Sequence, residues 1–147
     1  PAILGLMVGC ASLGAALSGL AIAAIGDIYR KGLAILVFSI CFGVTMIVFA
    51  FTSNPVIALA LIFAMGVFSG VFLTMSNVLL LTQMPDELRG RAMSMWSMVW
   101  GLIPLTALIA GAVAEYWGIS IVLILAGVSV TITCILMLTK RSQLLAL

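Results

Sequence analysis

The residues of this chain that can do charge chemistry are few and clustered. Six Lys/Arg and four Asp/Glu stand among 147 residues, with no His and a net charge of +2. Two clusters share an order in which acidic side chains precede basic ones: Asp27, Arg30 and Lys31, then Asp86, Glu87, Arg89 and Arg91. A carboxylate held between cations and helix ends makes a contact that forms or breaks as helices tilt. These residues are therefore predicted gating contacts.

A simpler alternative is that both clusters only orient the chain in a membrane, because an exposed ion pair contributes at most ~1 kcal/mol. Other chemistry has no visible arrangement of residues. No nucleophile, base and orienting group occur together, so the sequence predicts neither an enzyme nor a cofactor. The three cysteines lack disulfide or metal spacing, and the methionines are interpreted as apolar filler, so no metal site is predicted. Six basic residues are too few to bind nucleic acid through its phosphates.

The elements that must position the charged clusters are membrane helices. Apolar residues make up 65% of the chain and charged residues 7%, which excludes a soluble globule. The charges separate apolar stretches of about 20 residues or more, the length that crosses a hydrocarbon core. The sequence therefore predicts an all-α polytopic protein in contact with the lipid bilayer, with five spans at 2–25, 33–51, 55–81, 92–114 and 119–139.

Local signals place the breaks between these spans. Asn54 is a good N-cap, and Pro55 at the first helical position loses only an amide that would be unpaired anyway. Tyr116 and Trp117 suit the headgroup region, and Gly118 suits a left-handed helix end. Pro104 is expected to kink the fourth span.

The basic residues predict an orientation. Five alternating crossings put all six Lys/Arg on one side, which the positive-inside rule makes cytoplasmic, together with the C-terminus. The turn at 52–55 and the turn at Glu115 then lie outside. Because Pro1 already stands inside an apolar run, we expect the chain to lack an N-terminal part of the protein.

Small residues predict how the spans pack, since close approach of helices in lipid depends on small side chains. The first span carries one stripe of them, and the third and fourth spans each carry a face that mixes small and polar residues. The predicted packing residues are Gly5, Gly9, Ser12, Ala16, Gly19, Gly66, Gly70, Gly101 and Gly111. The predicted cavity-facing residues are Thr74, Asn77, Ser97 and Pro104.

The second and fifth spans differ, because each is rich in Ile, Val, Leu and Phe and holds a single glycine, Gly43 or Gly127. They are predicted to be lipid-facing outer helices. Replacing either glycine by Leu is accordingly expected to be mild. The resulting order, inner, outer, inner, inner, outer, fits a three-helix repeat whose first member is missing, a unit from which several transporter folds are built.

Three segments carry a family resemblance: 77–94, which contains Pro85-Asp86-Glu87-Leu88-Arg89-Gly90-Arg91, then 100–105 and 110–118. They resemble the tenth and eleventh helices of major facilitator superfamily transporters, in the branch of bacterial enterobactin exporters. The loop from Gly26 to Gly32 is similar to the signature between the eighth and ninth helices, although Ile28 stands where Arg usually follows the Asp. The whole chain then resembles the eighth to twelfth helices of a twelve-helix transporter.

This resemblance implies a rocker-switch secondary transporter in the bacterial inner membrane. It implies efflux of a small molecule such as a siderophore or drug, through a cavity shared with the missing N-terminal half. The first, third and fourth spans would lie nearest that cavity, which agrees with the sorting by small residues. A channel or a structural membrane subunit is the alternative, and saturable, gradient-driven counterflow would distinguish the two.

Overall fold

The computed structural model describes residues 2–25, 31–83 and 85–144, and all six of its elements are helices. They are α1 (Ala2–Ile25), α2 (Lys31–Ala50), α3 (Pro55–Gln83), α4 (Asp86–Gly101), α5 (Ile103–Trp117) and α6 (Ile119–Leu144). Five segments are long and apolar enough to cross a membrane, and the fourth of them runs through both α4 and α5 from Glu87 to Trp117. The predicted all-α, five-span organisation is confirmed.

Asn54 starts α3 as predicted. Its Oδ1 accepts a hydrogen bond of 3.0 Å from the Val56 amide, and its backbone carbonyl accepts one of 2.9 Å from the Ala58 amide. Pro55 is the first helical residue. The turn between the second and third spans is therefore built by one capping side chain and one proline.

The fourth span is broken where Pro104 predicts a kink. α4 ends at Gly101, Leu102 lies between the helices with φ −83° and ψ −11°, and Pro104 is in the first turn of α5. Because proline has no amide hydrogen, the Trp100 carbonyl cannot receive the usual bond from four residues ahead. The predicted kink is thus a division into two helices.

Gly118 forms the connection between α5 and α6 alone. Its φ of 88° confirms the predicted positive value, and its amide donates to the Ala114 carbonyl at 2.9 Å. Its ψ of 151° is extended, however, so the predicted left-handed helix end is wrong in this detail. This backbone region is essentially restricted to glycine, and it lets one residue reverse the chain.

The helices form a row of neighbours in the order α1, α3, α2, α6, α5. At the α1–α3 crossing, a Cβ placed on Gly70 would lie 2.8 Å from the Ala15 Cα, and one placed on Gly14 would lie 2.9 Å from the Val67 amide nitrogen. Gly66 meets Ala11 in the same way. The two backbones therefore touch, which only glycine permits at these positions.

The prediction that α2 mainly faces lipid is wrong, because α2 has a helix on two sides, whereas α6 exposes most of its described side chains as predicted. α2 lies between α3 and α6, and its Gly43 faces Gly127 of α6. A Cβ on Gly43 would lie 2.8 Å from the Gly127 carbonyl oxygen, and one on Gly127 would lie 2.6 Å from the Gly43 carbonyl oxygen. The single glycine of each apolar helix therefore marks a close crossing, and Leu at Gly43 or Gly127 is now expected to disturb it rather than to be tolerated.

Candidate functional site

The acidic and basic clusters are only partly within the described structure. Asp27 and Arg30 lie outside the described residues, and Lys31 is the first residue of α2. The second cluster forms the start of α4, where Asp86 and Glu87 are the first two residues. Glu87, Arg89 and Arg91 are exposed. The first turn of α4 is therefore acidic, and the gating role of both clusters stays a prediction.

Arg89 has a backbone partner that the sequence analysis did not anticipate. Its guanidinium Nη2 donates a hydrogen bond of 2.7 Å to the carbonyl oxygen of Leu81, in the last turn of α3. The first turn of α4 is fixed beside it, because the Pro85 carbonyl accepts bonds from the amides of Leu88 and Arg89 at 3.0 and 3.1 Å. One arginine thus links the end of one helix to the start of the next.

Within α3, one turn carries three polar side chains, Thr74, Ser76 and Asn77, all half-buried. In the described part of the chain these three make no hydrogen bond. Most other hydroxyls of the described spans bond back to their own helix, as when Ser69 donates to the Gly66 carbonyl at 3.0 Å. Among the described side chains of α3, this turn therefore leaves polar groups available to a ligand or water.

Thr74 is located by its neighbour on α1. Its Oγ1 lies 3.9 Å from the position of a Cβ on Gly19, so the side chain faces α1. Of the predicted small stripe on α1, Gly19 therefore comes near α3. Gly5 and Gly9 have nothing within 4 Å of a Cβ, and Ser12 and Ala16 are exposed. Their packing role stays a prediction, whereas Gly66 and Gly70 do lie at the α1–α3 crossing.

The other two predicted cavity residues lie on α4 and α5. Ser97 is exposed and donates to the Met93 carbonyl at 3.0 Å, and Pro104 is exposed near the start of α5. Across the described ranges α5 contacts neither α1 nor α3, so the structure does not bring Pro104 to Thr74 and Asn77. Gly101 and Gly111 have open space around a Cβ. A cavity between these helices stays a prediction.

A cleft of about 300 Å³ lies elsewhere, among α2, α3 and α6. Its lining is almost entirely apolar, and its two hydroxyls donate to their own helices, Ser39 to the Ile35 carbonyl at 2.8 Å and Ser69 to the Gly66 carbonyl. No lining residue was predicted from the sequence. The repeat of Phe68 and Phe72 at helical spacing was an available signal, but it does not distinguish a cleft from a packed core.

One comparison with known proteins decides the family. The family model of the Major Facilitator Superfamily matches residues 1–144. This chain belongs to that superfamily. No curated protein and no solved structure matches it.

For a major facilitator chain the arrangement has a clear meaning. Apolar helices α1 and α2 pack against α3, which carries one half-buried turn of polar side chains without hydrogen bonds, and the described charged residues lie near helix ends. Such a chain is a multi-pass membrane protein of transporter type. The family resemblance seen in the sequence is thereby confirmed at the level of the superfamily.

Proposed function

We propose that this chain is the C-terminal part, helices eight to twelve, of a secondary active transporter that exports a small molecule by alternating access. The observation that carries the proposal is the family match over residues 1–144. The unbonded turn of α3 supports it, because polar side chains inside a membrane span are costly unless they meet water, a ligand or one another. Thr74 and Asn77 are then substrate contacts.

The finer parts of the proposal follow from the sequence. The exporter direction, a siderophore or drug as substrate, and the bacterial inner membrane rest on the resemblance of segment 77–118 to the enterobactin-exporter branch. A second part of the protein, the N-terminal half, would complete the cavity around a midplane site. Ser97 and Pro104 would face that same cavity from the fourth span.

The transport test uses cells that express the complete protein. Efflux of ethidium and of a catecholate siderophore is measured with and without an uncoupler. We expect saturable efflux and counterflow, and a loss of at least tenfold in Asn77→Leu and Thr74→Val. Thr133→Val is the matched control, because its hydroxyl donates to the Ser129 carbonyl at 2.8 Å and its side chain is exposed on α6.

The result that contradicts transport is flux that rises linearly with concentration and shows no counterflow, which a channel would give. An equal loss of efflux in Thr74→Val and Thr133→Val would instead contradict the proposal that the α3 turn contacts the substrate. The folded yield of each variant in detergent is measured alongside efflux, so that a defect in folding is not counted as a defect in transport.

The proposed orientation places the C-terminus and both charge clusters in the cytoplasm. Single cysteines at Ser53 and Tyr116, in a background without Cys10, Cys41 and Cys134, should react with an impermeant maleimide from outside. Single cysteines at Tyr29, Arg89 and Lys140 should not. External labelling at position 89 would contradict either the proposed orientation or the five-span topology.

A further inference from the structure

The last turn of α3 contains a backbone carbonyl whose usual helical hydrogen-bond donor is absent from the sequence. In an α-helix the carbonyl of one residue accepts from the amide four residues later. For Leu81 that residue is Pro85, which has no amide hydrogen. α3 ends at Gln83, and the Leu81 carbonyl in its last turn lacks the donor that continued helix would supply.

Arg89 supplies a replacement donor. Its Nη2 lies 2.7 Å from the Leu81 carbonyl oxygen, a short distance typical of a charge-assisted bond. The cation also lies at the negative end of the α3 dipole, where basic side chains are favourable. The residues follow one another at fixed spacing: the carbonyl at 81, the proline at 85 and the arginine at 89.

We propose that Arg89 is a positioning residue that joins α3 to α4 by capping the carbonyl that Pro85 leaves without its helical donor. Pro85 ends α3 and precedes the first residue of α4, so it creates the turn and the open carbonyl together. The arginine, one turn into α4, reaches back over that turn. The inference goes beyond the proposed transport and holds whether or not the chain exports anything.

The experiment measures backbone hydrogen exchange of the complete protein in lipid nanodiscs, in the peptide covering residues 78–88. A bond to a charged group contributes enough to slow local opening about tenfold. Arg89→Gln is therefore expected to speed exchange at the end of α3 about tenfold. Arg91→Gln removes the same charge two residues later and is expected to change the rate by less than twofold.

The decisive variant is Pro85→Ala, because alanine restores an amide at the position that the Leu81 carbonyl needs. In the Pro85→Ala background, Arg89→Gln should change exchange by less than twofold. A merely structural role for Arg89, through its charge or its packing, would give the same tenfold effect in both backgrounds. That outcome, or unchanged exchange in Arg89→Gln alone, overturns the proposal.

Folded yield provides a second measurement on the same four proteins. If Arg89→Gln yields too little protein for exchange, the double variant with Pro85→Ala is expected to recover the yield of Pro85→Ala itself. A double variant that stays at the level of Arg89→Gln contradicts the proposed pairing of proline and arginine. The Arg91→Gln protein sets the yield expected from loss of one positive charge.

Discussion

Glycine behaves differently in two regions of the molecule. In the row formed by α1, α3, α2 and α6, the glycines at helix crossings meet the backbone of the next helix, as Gly66 meets Ala11 and Gly43 meets Gly127, although Gly5 and Gly9 do not. In the α4–α5 pair, Gly101 and Gly111 have nothing within 4 Å of a Cβ, and α5 has no buried residue. A glycine therefore has structural importance in a membrane helix only where a partner backbone approaches it.

The two regions also differ in what the neighbouring side chains do. Around the crossings in the row, Val71 and Met75 of α3 are 6% and 2% exposed. On α5, Leu108 and Ile109 are 72% and 61% exposed. In lipid, exposed apolar side chains carry no penalty, so a span can be stable without a partner within the same chain. The comparison predicts unequal tolerance to substitution.

The largest effect is expected at the α1–α3 crossing. Gly66→Leu forces a side chain into the Ala11 backbone, which cannot move aside as a side-chain tip would, and overpacking of this kind costs about 3 kcal/mol or more. We expect the monodisperse yield in detergent to fall at least tenfold. Gly111→Leu on α5 is the matched control and should keep most of its yield. Equal losses in the two variants would contradict the comparison.

A smaller effect is expected at the crossing of α2 and α6. Gly43→Ala adds one methyl group 2.8 Å from the Gly127 carbonyl oxygen, which should cost about 1–3 kcal/mol. Unfolding in denaturant, followed by tryptophan fluorescence, measures the loss. Gly9→Ala, where a Cβ meets nothing within 4 Å, should be neutral or stabilising because alanine favours helix. If Gly43→Ala left the free energy of unfolding unchanged, the close crossing of α2 and α6 would be contradicted, and the prediction that α2 mainly faces lipid would be favoured again.

The smallest effect on stability is expected in the unpacked region. Pro104→Ala restores an amide that can bond to the Trp100 carbonyl, so α4 and α5 should merge into one straighter helix. Stability should change by at most about 1 kcal/mol, because a proline in the first turn of a helix already costs little. The distance between spin labels at Ser94 and Ala112 should lengthen by several Å, whereas Leu102→Ala should leave it unchanged. An unchanged distance in Pro104→Ala would mean that another contact holds the bend.

Local features of the fold were predictable from the sequence because they depend on neighbours in the chain. The spans follow from uninterrupted apolar residues, which need no partner to be recognised. Asn54 caps α3 and Pro104 divides the fourth span through bonds made or lost within four residues. The three polar residues of α3 are visible in the sequence as well, and two of them, Thr74 and Asn77, were predicted site residues.

The choice among small residues was not predictable in the same way. On α1 the sequence favoured a stripe through Gly9 and Ser12, but the face that meets α3 runs through Ala11, Gly14 and Ala15. Both faces are small, so composition does not distinguish them. The link from Arg89 to Leu81 was missed for a related reason, since reading Arg89 as one member of a charge cluster directs attention to carboxylates and away from backbone carbonyls.

By itself, the sequence determined that this protein is a bundle of membrane helices, where most of them begin and end, and which turns its prolines and capping residues make. These properties follow from hydrophobic length and from hydrogen bonds within a single turn. Only the tertiary structure decided which glycines are crossings, that α2 lies between α3 and α6, and which polar turn keeps its groups unbonded. Those properties depend on which helices meet. In a uniformly apolar sequence many helix faces have a similar composition, so only the contact between two backbones shows which face packs.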